Sequence, residues 1–214
     1  IPRYTGVLRP SNLEVFRQRL TDAGMGDQAE AFFKASGKLA ALLYREEIEM
    51  ALRTPGMAGF QLLDLQDFPG QGTALVGLLN AFMESKGLIT EEAFRSFCSD
   101  RVLLVQMDRY TWTSDETFTA DVNLVNYSPR DLKDKQLVWS FLDEESGRSL
   151  QNGLLPVALA SKGKINALGK IAFPLTQFSK KAVRLTIRLE IPGEGLKTEY
   201  PVWVYPEQVD LTVP

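Results

Sequence analysis

The 214 residues contain no histidine and one cysteine, Cys98. Without histidine the chain lacks the commonest general base, the commonest metal ligand and every Ser-His or Cys-His nucleophile pair. A zinc site would have to be built from Cys98 and carboxylates, an improbable donor set, so no metal and no cofactor are expected. A lone cysteine forms no intrachain disulfide. No apolar run reaches the length of a bilayer span, so no membrane partner is expected. The formal charge is only −3, and both halves of the chain are close to charge balance, so nothing selects nucleic acid. What remains is ordinary globular composition, 44% hydrophobic and 24% charged, long enough to bury a substantial core. Any chemistry would fall to carboxylates, Tyr, Lys or Arg.

The pattern divides the chain in two. From Ser11 to about Asp100 the apolar period is helical. "PSNLEVFRQRLTDAG" offers Ser11 or Asn12 as N-cap, Leu13, Phe16 and Leu20 on one face and Gly24 as a stop. A longer helix is expected from about Asp27 to Arg53. Phe32, Ala35, Leu39, Leu43 and Met50 form its stripe, Phe33, Ala40, Tyr44 and Ile48 widen it, and Gly37 is a point for a kink. Phe60 to Leu65 reads as a strand buried on both faces, "GTALVGLLNAFMESKG" as a helix, and "TEEAFRSFC" as a short helix capped by Thr90.

From about Val102 the period becomes two. "FTADVNLVN", "QLVWSF", "AVRLTIRLEI" and "TEYPVWVYP" alternate apolar with polar residues. Turn-forming stretches at Asn126, Glu145 and Pro192 separate them, which predicts an antiparallel Ig-like β-sandwich without the antibody disulfide. The expected fold is therefore α+β in two parts, residues 1–104 and 105–214.

One stretch is unusual. "MAGFQLLDLQDFPGQGTALVG" carries Asp64, Gln66 and Asp67 at the end of an apolar run, followed at once by a turn in which Gly70 and Gly72 allow close approach of backbone to a ligand. Two readings stand side by side. These groups either face a site at the C-terminal end of a βα unit, where barrel enzymes place their functional residues, or simply cap the loop. Other candidates are weaker. Glu46, Glu47 and Glu49 fit a solvated helix flank, and Trp139 is in phase with core residues. Trp112, in "RYTWTSDETF", is the aromatic left open for a ligand, and Tyr4 and Arg9 lie in the irregular entry segment.

Taken in order, "GFQLLDLQDFPGQGTALVG", "AFMESKGLI" and "WTSDETFTADVNLVNYSPRDLKDKQLVWSF" resemble the C-terminal part of glycoside hydrolase family 2, the β-galactosidase and β-glucuronidase group, with Bacteroidetes-type members nearest. The resemblance runs from Tyr4 to Pro206. It implies the end of a (β/α)8 catalytic barrel followed by the Ig-like sandwich, with Phe60–Leu65 as the eighth strand. Two glutamates would carry retaining hydrolysis in the parent enzyme, and both would precede Ile1, leaving this part with no catalytic residue and inactive alone. Asp64, Gln66, Asp67 and Trp112 would contact an oligo- or polysaccharide. Leu63 stands where the family often has a sugar-flooring Trp. Length agrees, since a full barrel needs roughly 250 residues. Self-association through exposed apolar surface and a periplasmic or secreted location are further expectations. A non-catalytic carbohydrate-binding or interaction module, using Trp112, Trp203 and Tyr205, is the alternative. A family member that has lost catalysis is the third.

Overall fold

A computed structural model describes residues 3–4, 9–68, 71 and 74–208. The chain forms two compact units: one holds the first helices and residues 58–94, the other Leu52–Met57 and the chain from Arg95 onward. It is an α+β protein, helical first and then a β-sandwich.

In the first unit, α1 spans Ser11–Asp22. Pro10, rather than Ser11 or Asn12, occupies the N-cap, and no side chain caps the helix. The helix stops as expected at Gly24, whose φ of 70° is cheap only for glycine. Gly24 N–H donates to Thr21 O and Met25 N–H to Leu20 O, the paired bonds of a Schellman ending. A 3₁₀ turn, Gly26–Gln28, leads into α2, Ala29–Arg53. Gly37 does not interrupt α2. A Cβ there would lie 2.4 Å from a Leu88 methyl, so its role is to admit the Leu88 side chain. The short α3, Glu91–Arg95, is capped as expected: Ala93 N–H donates to Thr90 Oγ1 at 3.1 Å.

Two expectations for this unit are corrected. Phe60–Leu65 is not a strand: Phe60, Leu63 and Leu65 are exposed, and pairing is limited to one parallel bridge between Gln66 and Leu79. A strand draws its hydrogen bonds from neighbouring strands, and no strand is present among the described residues of this unit. The helix expected over 72–87 is also absent from its described residues, 74–87. Asn80 Oδ1 accepts from Phe82 N–H at 2.8 Å and Glu84 N–H at 3.1 Å, and Met83 takes a φ of 63°. The asparagine side chain thus offers these amides a turn in place of helical partners. The apolar stripe on α2 is real but largely uncovered, with Phe32, Phe33, Leu39, Leu43 and Met50 exposed and Ala41 and Ile48 buried.

The second unit is a sandwich of two sheets. One has the order β1 (Arg101–Gln106), β3 (Thr117–Asn126), β6 (Lys164–Pro174). The other runs β2 (Thr111–Thr113), β8 (Leu196–Tyr205), β7 (Val183–Ile191), β4 (Leu132–Asp143), β5 (Ser149–Ala160). Pairing is antiparallel except that β2 runs parallel to β8, so the second sheet is mixed. Strand β1 straddles the boundary expected at 104/105 and belongs to the sandwich through its ladder with β3.

The period-two stretches point inward in the expected phase. Phe118, Val122 and Leu124 on β3, Leu137 and Phe141 on β4, and Leu185, Ile187, Leu189 and Ile191 on β7 are buried. Phe141 is the centre of the aromatic core: it stacks on Phe173 at 4.5 Å and meets Phe118 and Trp139 edge-on. Gly153 lets β5 pass under Trp139, since a Cβ there would sit 2.5 Å from the indole. At the end of β3, fully buried Asn126 donates to Arg130 O and Ala160 O and accepts from Ser128, tying three segments with one amide.

Candidate functional site

The unusual stretch folds as a polar turn whose two limbs are cross-linked. Asp67 N–H donates to Leu79 O at 3.0 Å and Leu79 N–H donates to Leu65 O at 3.0 Å, which sets residues 65–67 beside 79. Gly77 makes this approach possible, because a Cβ there would stand 2.5 Å from the Gln66 carbonyl carbon. Asp67 turns its carboxylate inward, and the residue is 6% exposed. Its Oδ1 accepts from Lys86 Nζ at 2.7 Å and from Gly77 N–H at 3.1 Å. Lys86 Nζ, itself nearly buried, also donates to Leu75 O at 3.2 Å. A buried carboxylate needs such compensation, and here one cation and one amide supply it.

Asp64 and Gln66 are half-buried. Asp64 has a φ of 61°, a left-handed backbone that a carboxylate residue tolerates better than most but that still costs energy. Tyr44, on α2, donates its hydroxyl between Val76 O at 3.2 Å and Asp64 O at 3.4 Å, holding both limbs. Burial pushes the Tyr44 phenol above its ordinary pKa, and the negative charges of Asp64, Glu47 and Asp67 add to the effect, so the group remains a proton donor. Gly70 and Gly72 lie outside the described residues.

The structure therefore brings Asp64, Gln66 and Asp67 into one turn. Trp112 belongs to the sandwich unit and is 6% exposed. Its indole N–H donates to Arg109 O at 3.0 Å, its ring meets Phe118 at 5.2 Å, and the Arg109 guanidinium lies 4.4 Å over it. Its faces are thereby spent on the core and on Arg109, leaving no open stacking surface. Tyr4 packs edge-on against Phe82, and Arg9 pairs with Glu14. Glu49 is buried and paired with Arg45 on the same helix, whereas Glu47 is exposed. Among the described residues no group of carboxylates and cysteine is placed to hold a metal ion.

Tyr44 and Lys86 were not singled out from sequence. Tyr44 is hidden within the α2 stripe. Lys86 carried a usable signal, being the one basic residue between Arg53 and Arg95, in a segment with two aspartates needing a counter-charge. Chemically, the turn presents amide and carboxylate groups suited to hydrogen-bonding a polyhydroxylated ligand.

The family described as Domain of unknown function (DUF8488) matches residues 116–206, within the sandwich unit. None of the curated proteins matches the chain. Among solved structures it is weakly similar to a β-glucuronidase of glycoside hydrolase family 2, with 12% identity, a TM-score of 0.34, and coverage of 50% of this chain and 11% of that one. A family 123 glycoside hydrolase from Clostridium perfringens aligns at 7% identity and a TM-score of 0.37, covering 52% of this chain and 28% of that one. The CARDB domain of a Pyrococcus furiosus protein, in complex with di-metal ions, aligns at 12% identity and a TM-score of 0.34, over 50% of this chain and 96% of the domain. The chain thus spans about a tenth of the β-glucuronidase.

Proposed function

We propose that this chain is the C-terminal part of a retaining β-glycosidase acting on oligo- or polysaccharides. The observation that carries the reading is the polar turn at 64–67, clamped by Lys86 and placed in chain order directly ahead of an Ig-like sandwich, the order found in glycoside hydrolase family 2. The uncovered stripe on α2 supports it too, because apolar faces of barrel helices are covered by neighbouring barrel units. Retaining hydrolysis needs two carboxyl groups roughly 5–5.5 Å apart, one attacking and one protonating the leaving oxygen. Those two belong to upstream residues in this reading, and Asp64, Gln66 and Asp67 form part of the sugar site's wall. The missing ladder of Phe60–Leu65 would be supplied by the preceding strands.

The test is expression of this chain alone and extended upstream to a full barrel, each assayed on a panel of aryl β-glycosides. Hydrolysis by the long form and none by the short form is the expected result. Turnover by neither form would sink the reading. Self-association of the short form through the α2 stripe is expected as well, and an unchanged monomer mass by light scattering over a tenfold concentration range would count against it. Export to the periplasm or beyond follows from the resemblance and is checked by cell fractionation.

A second reading, a non-catalytic carbohydrate-binding module, draws on β8. Trp203 and Tyr205 share a face of that strand, with Tyr205 exposed and Arg184 5.4 Å from the centre of the Trp203 ring. Oligosaccharide binding that survives Trp203→Ala and Tyr205→Ala would remove it.

A further inference from the structure

The two aspartates of the turn differ in what remains for them to do. Asp67 is buried, and a single oxygen already takes the Lys86 ammonium and the Gly77 amide. Its burial leaves little of the carboxylate for a sugar hydroxyl, and turning it outward to meet one would leave the Lys86 charge without its partner. Asp64 is half-buried, and its carboxylate has no hydrogen bond or ion pair among the described residues. Its backbone carbonyl, by contrast, is fixed by Tyr44, and its left-handed φ is held by the same cross-linked limbs. Glycine would adopt that backbone at less cost, yet the position carries a charge.

We infer that Asp67 and Lys86 are positioning residues, which clasp the turn together with Gly77 and Tyr44, and that Asp64 is the carboxylate of this turn that hydrogen-bonds substrate hydroxyls. The inference rests on the glycosidase reading for its sugar and on the clasp geometry for its division of roles. Asp67 acts through the shape of the turn; Asp64 acts on the ligand.

Two measurements test it. In the 214-residue chain, amide hydrogen exchange at Gly77 reads the clasp directly. Asp67→Asn and Lys86→Met should each cut protection at least tenfold, while Asp64→Gly, which fits the left-handed backbone, leaves it unchanged. Unaltered Gly77 protection in the first two variants overturns the clasp. In the upstream-extended enzyme, Asp64→Gly, which keeps the left-handed backbone accessible, should raise KM on aryl β-glycosides about tenfold with Tm unchanged, and an unchanged KM overturns its role. Asp67→Leu combined with Lys86→Met removes both charges, and should be more active than either single change, because it abolishes the unpaired buried charge each leaves. A double variant with restored Tm but no more activity than Asp67→Leu would make Asp67 a direct contact and overturn the assignment. If Gly77 exchange behaves as expected while the extended protein hydrolyses nothing, the glycosidase reading and the sugar contact fall together and the clasp alone stands.

Discussion

On β7 every second residue from Leu185 to Ile191 is buried, whereas on α2 Phe32, Phe33, Leu39, Leu43 and Met50 repeat with equal regularity and stay exposed. Both patterns are products of amphipathic sequence. What separates them is the presence of a second layer: β7 faces the β1-β3-β6 sheet across a filled core, while α2 offers its stripe with little to cover it. A periodic pattern specifies which face must be covered, and says nothing about what covers it. The same contrast holds for polar groups. Asn126 in the sandwich and Asp67 in the first unit are both buried, and both are satisfied by partners from segments distant in sequence.

The comparison can be broken most strongly at Phe141. Truncation to Ala removes the ring that joins Phe118, Trp139 and Phe173, and should cost about 3–5 kcal/mol in denaturant unfolding of the sandwich. A loss under about 1 kcal/mol would show that this core is loosely packed. Asn126→Ala should follow at roughly 1–3 kcal/mol, since it strands the buried Ala160 carbonyl that the amide satisfies. In the first unit, Thr90→Ala should cost about 1 kcal/mol, confined to α3 and visible as faster exchange at Ala93.

Leu43→Ala on the α2 stripe should change stability by less than about 1 kcal/mol, because more than half of the residue is already exposed to water. A large loss would mean that the stripe is covered in solution. The last effect depends on pH. Glu194 is held below its ordinary pKa of 4.5 by hydrogen bonds from Lys135 and Arg101. Its contribution is therefore fully present above about pH 4.5 and fades as pH falls through the lower folded-state value. Glu194→Gln should be slightly less stable than the parent chain at pH 7, with the gap closing in acid; a gap that widens in acid would refute the assignment.

The sandwich was legible because alternation, turn residues and strand length agreed at each level. Leu185 to Ile191 and Thr198 to Val204 needed no partner information to be placed. Strands β5 and β6 were harder: Gly153 and Pro156 interrupt β5, and much of β6 is exposed, so neither shows a clean alternation. The parallel pairing of β2 with β8 has no local signal, because it joins residues some ninety positions apart. In the first unit, Phe60–Leu65 has the composition of a buried strand but no strand to pair with among the described residues, and Asn80 diverts the following segment from helix. The aspartates of the turn were found because they interrupt an apolar run. Their different roles were not, since those depend on where Lys86 and Tyr44 arrive in space.

The strand order of the larger sheet also fixes a timetable. Strand β8 lies between β2 and β7, so this sheet has a gap until residues 196–205 are available. The smaller sheet needs nothing beyond Pro174. A ribosome adding about 5–20 residues per second delivers β8 only seconds after β6. During that interval β2 has no neighbour and β7 presents an open edge, a ready template for strands of other nascent chains. Strand β8, made after both of its neighbours, is the one that seals this sheet, and its arrival, more than any earlier step, marks the point at which β7 loses its open edge.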